Sequence, residues 1–195
     1  MEELYKCYLN CFNILSYRKF NTENYKNISL EDFKNKYDFF YSNNNILDIY
    51  FENDNNICVI HFTNKTNIDK IYNEIKKYYE LDNNKYEVII ISLKEINNDN
   101  IIGLCEKLDN LTIIYYKYII VDIMKHKYVP KHIIINEKEK IKLKEDMNIK
   151  SLELLPYISK YDPVSKFIGI KKGDICKIIR KNKNIGESIY YRFCN

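Results

Sequence analysis

The tightest constraint on this chain lies in its middle third, where short apolar runs alternate with amphipathic stretches. Ile57–Phe62, Val88–Ser92 and Leu111–Val121 are dominated by β-branched and aromatic residues and read as strands. Ile46–Phe51 reads as another, set off by a polar turn at Glu52–Asn56. Between the runs, Asn67–Leu81 carries Ile68, Ile71, Ile75, Tyr78 and Tyr79 in an amphipathic helical pattern, and Asp99–Leu108 also looks helical. Strand, helix, strand, helix, strand implies an α/β layer with a largely buried sheet. Ahead of it, Leu4, Cys7, Tyr8, Cys11, Phe12 and Leu15 recur every three or four residues, predicting a helix over Glu2–Phe20. Ser29, with Asp32 three positions on, makes a capping-box-like start for a second, shorter helix.

Near His126 the pattern resets. Lys131–Ile135 is strand-like, and Asn136 with Glu139 starts a helix whose apolar positions are Ile141, Leu143 and Met147. Leu152–Pro156 breaks out of that helix. Asp162-Pro163 places an N-cap beside a proline at the first helical position, and Gly169 ends the short helix in the left-handed conformation. Gly173 turns the chain into a strand, Ile175–Arg180; Lys181–Gly186 is a hairpin loop and Ser188–Cys194 returns. On the returning strand Ile189, Tyr191 and Phe193 share one face, with Tyr190 and Arg192 on the other. The result is a small α+β domain of about 65–70 residues, within the range that folds alone. Charge resets at the same place. From Lys125 onward 17 Lys and Arg face 8 Asp and Glu, a balance of +9, whereas the preceding 14 against 19 leaves −5. The expected domains are therefore 1–124 and 125–195.

With 30% charged residues the chain reads as soluble and globular. No apolar run approaches the ~18–20 residues of a membrane span, and the acidic start Met1-Glu2-Glu3 argues against a signal peptide. Six dispersed cysteines are expected to be reduced, buried thiols. Cys7 and Cys11, one helical turn apart, could share a metal or simply lie on one helix face. Ala, Gln and Trp are absent while Asn, Lys, Ile and Tyr abound, a bias of A/T-rich coding; the Asn runs at 43–45, 53–56 and 97–100 then read as drifted loops.

The C-terminal segment carries a resemblance. His126-Lys-Tyr-Val-Pro-Lys-His132, then Leu155-Pro156-x-Ile158, Asp162-Pro163-Val164, Gly169, Lys171-x-Gly173, Lys177-Ile178-Ile179-Arg180, Gly186 and Tyr191-Arg192 resemble, in order and spacing, the domain that eukaryotic RNA polymerase subunit 5 shares with its archaeal counterpart. More thinly, Leu30-Glu31-Asp32-Phe33-Lys34-x-Lys36-Tyr37 resembles part of the eukaryotic N-terminal jaw domain, and Val59-Ile60-His61 sits where that domain has a strand. The archaeal counterpart lacks the jaw, so this layout resembles the subunit of a eukaryote or of a large DNA virus. Departures are Lys127 and Tyr128 after the first histidine, Tyr157 where a basic residue is usual, and Asn97-Asn98-Asp99-Asn100 in place of a Thr-Pro-Ser run beside downstream DNA.

The resemblance implies an α/β N-terminal jaw domain over 1–124 and a small α+β C-terminal assembly domain over 125–195, like the one shared with the archaeal counterpart. It implies a non-catalytic subunit of a multisubunit DNA-dependent RNA polymerase, without cofactor or membrane partner. Docking on the largest subunit beside a small neighbouring subunit would use Pro130, His132, Asp162, Pro163, Lys171, Lys177, Arg180, Tyr191 and Arg192. Downstream duplex DNA would lie near Lys94, Asn97 and Asn98. The location implied is the nucleus if the chain is cellular, and the virion or a cytoplasmic viral factory if viral.

Physical chemistry weighs the alternatives. Lys171, Lys172, Lys177, Arg180, Lys181 and Lys183 make the hairpin region basic, which alone fits a solvated face; joined to the resemblance it fits an acidic docking partner. A free-standing basic nucleic-acid-binding module is one alternative, and a metal-dependent nuclease-like α/β protein is another. A metal-dependent nuclease would need carboxylates and a lysine converging at a strand end, yet the acid-x-Lys triplets Asp32-Phe33-Lys34 and Glu74-Ile75-Lys76 fall in predicted helices. The three glycines at 169, 173 and 186 lack phosphate-loop spacing and serve turns and caps.

Overall fold

The strand–helix alternation closes into two separate sheets. The computed structural model describes residues 2–22, 28–42, 48–53, 56–78, 85–96, 102–103, 105–106, 108, 110–182 and 186–195. The chain divides into two compact units, Met1–Asp122 and Ile123–Asn195.

In the first unit, helices α1 (Glu2–Tyr17) and α2 (Leu30–Ser42) precede strands β1 (Asp48–Asn53) and β2 (Asn56–Thr63), helix α3 (Ile68–Tyr78), and strands β3 (Lys85–Ser92) and β4 (Leu111–Tyr115). The sheet order is β1-β2-β3-β4, with β1 antiparallel to β2 and the other pairs parallel. Both faces are covered, which is why β3 reads as a continuous apolar run: Val88, Ile89, Ile90 and Ile91 are all fully buried. Helix α1 covers one face, where Phe12 meets Phe51 edge to face at 6.0 Å and Arg18 pairs with Glu87 at 3.0 Å. Helix α3 covers the other, with the Tyr72 hydroxyl 3.1 Å from that of Tyr86.

The helix ends follow local chemistry. Ser29 Oγ accepts from Asp32 N–H at 3.1 Å and donates to its carboxylate at 2.6 Å, so the expected cap of α2 forms. Helix α1 stops three residues before Phe20. Lys19 adopts φ 68°, and Phe20 N–H donates to Leu15 O while Lys19 N–H donates to Ser16 O, closing the helix in a left-handed cap.

The long strand expected over Leu111–Val121 is a correction. It ends at Tyr115, and Lys117–Ile120 forms a single helical turn, α4. That turn is held by α1, since Asn10 Nδ2 donates to Ile119 O at 2.8 Å and to Ile120 O at 3.0 Å. Ile119 is thereby fully buried. An apolar run has no period with which to announce such a break. The polar turn at Glu52–Asn56 is shorter than expected, because Asn53 and Asn56 already pair across the hairpin. Much of the helix expected over Asp99–Leu108, and the whole of 97–100, lies outside the described residues.

In the second unit, β5 (Lys131–Ile134), α5 (Glu137–Asp146), β6 (Tyr157–Ile158), α6 (Pro163–Ile168), β7 (Ile175–Asn182) and β8 (Gly186–Cys194) build a sheet of order β5-β7-β8-β6. Only the β6–β8 pair is parallel. Ile175, with Tyr191 and Phe193, packs on Leu143 of α5; Cys176, Ile178 and Cys194 pack on Ile168 of α6. A helix therefore lies on each face of the sheet.

Asn136 and Glu139 form the full reciprocal cap of α5, Asp162 caps α6 with Pro163 behind it, and Gly169 sits at φ 68°. Two of the three expected apolar positions of α5 do not face the core: Ile141 is 62% exposed and Met147 49%. At 100° per residue Ile141 lies about 200° round the helix from Leu143, and Met147 is the terminal cap residue. The hairpin is also longer than expected, with Asn182 pairing Gly186.

Candidate functional site

Directly opposite residues of an antiparallel pair share a face, so register sorts the docking candidates. His132, Ile178 and Tyr190 form one row across β5, β7 and β8, and Ile134, Cys176 and Arg192 the next. Arg180 continues the same face along β7, its guanidinium carbon 5.4 Å from the Tyr190 ring centroid. Arg192 Nη1 donates to Tyr157 O at 3.1 Å. His132 Nδ1 donates to Pro130 O at 2.7 Å. Burial pushes the imidazole below its ordinary value; the Pro130 carbonyl and the Asp162 carboxylate oppose this, and Arg180 and Arg192 add to it.

Pro130, His132, Asp162, Pro163, Arg180 and Arg192 thus gather on one face. Lys177 and Tyr191 pair with each other on the opposite face. Lys171 lies in the turn before β7, its backbone N–H donating to Asp174 Oδ2 at 2.9 Å. The same turn is tied to α5 by Lys140 Nζ, 2.7 Å from Glu137 and 3.4 Å from Asp174. Tyr157, Tyr190, Ile189 and Leu154 lie outside the docking set that the sequence implies, yet all four are exposed large side chains. Tyr190 was legible as a residue on the Arg192 side of the strand alternation; the others carry no local signal of exposure.

In the first unit, Asn97 and Asn98 lie outside the described residues. Lys94 is exposed at the carboxyl end of β3. Its position comes from buried Ser92, whose Oγ accepts from Lys94 N–H at 3.3 Å. Buried Thr63, in register with Ser92 on β2, does the same for Lys65 at 3.1 Å. Tyr115 completes the row on β4, and Lys117, two residues on, sits 5.9 Å from its ring centroid. Three lysines, each two residues past a strand end, therefore stand at one edge of the sheet. Lys65 and Lys117 were not among the sequence candidates; a hydroxyl followed two residues later by lysine at a strand end is the signal for Lys65.

Acidic chemistry converges less. Asp32 and Glu74 are exposed on α2 and α3, not at strand ends. His61 Nδ1 is 2.5 Å from Asp48, a cross-strand pair. Among the described residues no group of three or more His, Cys, Asp or Glu side chains could hold a metal ion, and no helix is long and apolar enough to cross a membrane. All six cysteines are buried free thiols; burial pushes Cys58 up to about 12, and both Cys176 and Cys194 up to about 11.

The family model for RNA polymerase Rpb5, C-terminal domain, matches residues 121–194. The DNA-directed RNA polymerase subunit Rpo5 of Sulfolobus acidocaldarius is 49% identical over 73 residues, covering 37% of this chain and 86% of that subunit. The Rpo5 subunit of Methanothermobacter thermautotrophicus is 45% identical over 71 residues, covering 36% and 91% respectively. The DNA-directed RNA polymerases I, II, and III subunit rpabc1 of Dictyostelium discoideum is 37% identical over 76 residues, 39% of this chain and 38% of the Dictyostelium protein. Identity at this level across nearly the whole of two archaeal subunits makes the chain a member of the RNA polymerase Rpb5 family.

Proposed function

We propose that the chain is an accessory subunit of a multisubunit DNA-dependent RNA polymerase whose catalytic centre lies in other subunits. The observation that carries this reading is the 49% identity spanning 86% of an archaeal polymerase subunit. In this reading 125–195 is the assembly domain. It docks on the largest subunit, beside a small neighbouring subunit, through the face that gathers Pro130, His132, Asp162, Pro163, Arg180 and Arg192. Lys171, Lys177 and Tyr191 serve a second contact on the turn and the opposite face.

Residues 1–124 form the jaw, which faces downstream duplex DNA with Lys94 and the neighbouring Asn97 and Asn98. The row of Lys65, Lys94 and Lys117 supports that orientation, because lysines positioned by backbone turns contact phosphates without reading sequence. The balance of −5 over residues 1–124 means that such contacts act only while the polymerase holds the DNA in place. The test is affinity purification of the tagged chain from its own source. Stoichiometric recovery with the two largest polymerase subunits is expected; recovery without them overturns the reading. Reversing Lys94 to Glu is expected to lower downstream DNA crosslinking in that complex while leaving its composition unchanged.

A further inference from the structure

We propose that the outer edge of β8 is a strand-pairing site whose occupant is an extended segment of the largest polymerase subunit, alternating carboxylate and apolar side chains. The inference deepens the docking reading above and rests on it.

The open edge follows from the ladder's alternation. In an antiparallel pair each residue turns its N–H and C=O to the same side, and successive residues turn opposite ways. Cys194 N–H donates to Asp174 O at 2.8 Å, toward β7, whereas Phe193 N–H donates to Pro156 O at 2.9 Å, toward β6. Glu187, Ile189 and Tyr191 share the phase of Phe193, so their backbone groups point away from β7. Strand β6 could meet them only by extending backward from Tyr157. The next donor in that parallel ladder would be residue 156, a proline without an N–H. Leu152–Leu154 then turns away as a 3-10 helix.

Strand β8 thus has nine residues and a neighbour of two on this side. Among the described residues nothing pairs with the outward backbone groups of Glu187, Ile189 and Tyr191. Exposed edges are ordinarily blunted by charge, proline or a bulge. Here the centre of the edge is Ile189, 49% exposed, and Tyr190, 50% exposed. That is a template for strand addition.

The side chains define the guest. On one face Ile189 and Tyr191 extend the apolar surface that begins at Phe193, and a guest strand would present apolar residues there. On the other face Arg180 stacks on Tyr190, with Arg192 beyond, and carboxylates would complement them. With 17 Lys and Arg against 8 Asp and Glu over 125–195, an acidic strand fits this edge better than a second copy of the same basic unit.

The experiment is residue-resolved hydrogen exchange on the full chain, free and bound to the largest subunit of its own polymerase. In the free chain the amides of Ile189 and Tyr191 exchange fast while those of Tyr190 and Arg192, bonded to β7, are protected. In the complex, exchange at Ile189 and Tyr191 is expected to slow by about 100-fold or more. If the complex forms and these amides stay fast, edge pairing is overturned while the docking reading stands. If no complex forms, the docking reading fails and takes this one with it. Protection that grows with concentration in the free chain, together with a dimer in sedimentation, would assign the edge to a second copy and overturn the proposal. Arg180→Glu, a change at an exposed position, is expected to weaken the complex by about tenfold; unchanged binding would overturn the acidic character of the guest.

Discussion

Gly169 ends α6 at φ 68°, and its N–H closes on Ser165 O. A side chain at that φ sits too close to the following carbonyl, at a cost of about 1–2 kcal/mol for a residue other than glycine. Gly169→Ala is therefore expected to lower unfolding free energy by about that amount in urea titrations, with little change in the slope. His132 gives a pH-dependent counterpart. Its folded pKa is depressed below the ordinary 6.5, chiefly by burial. The folded chain then takes up this proton less readily than the unfolded chain does. Stability from the neutral imidazole is complete above the ordinary value and is lost as pH falls through the depressed one. His132→Asn keeps a donor for Pro130 O without a titrating ring. Comparing urea midpoints at pH 7.5 and pH 5, the wild type should lose more stability than the variant; equal losses would remove this role for His132.

Between elements, the informative contact is Asn10 on α4. Its amide satisfies two carbonyls at the end of a one-turn helix, where carbonyls otherwise lack partners. Truncation to Ala leaves them unpaired beside buried Ile119. A loss of about 1–3 kcal/mol is expected from Asn10→Ala, measured by chemical denaturation, with no effect on the second unit's cap or hairpin. This contact also explains what the residues alone made legible. The caps at Ser29, Asn136, Asp162 and Gly169 are local, each settled within about four residues, and every one forms as its residues imply. The break at Tyr116 is not local, because it depends on a side chain more than a hundred positions earlier. The same holds for the candidate site. Strand alternation separates Tyr191 from Arg192 and Lys177 from Arg180, but bringing His132 beside Ile178 and Tyr190 needs the β5–β7–β8 register. No spacing within the chain encodes that register.

At the scale of the whole molecule, the two units differ in charge and in kinship. Ile123 and Met124 carry no charge, so 123–195 has 17 Lys and Arg against 8 Asp and Glu, or +9, and 1–122 has −5. The match to the Methanothermobacter subunit spans 71 residues and takes in 91% of it, a length close to the second unit alone. The second unit also has helix-covered cores on both faces of its sheet and supplies its own caps, the conditions for folding without the rest of the chain at about 70 residues. Residues 123–195 expressed alone are therefore expected to fold, to give a single cooperative denaturation transition, and to replace the full chain in the purified polymerase. Residues 1–122 alone, acidic and without the face proposed for docking, should not be incorporated. Competition between tagged fragments and the full chain for the large subunits measures this directly. Incorporation of 1–122 in place of 123–195 would move the assembly role to the first unit.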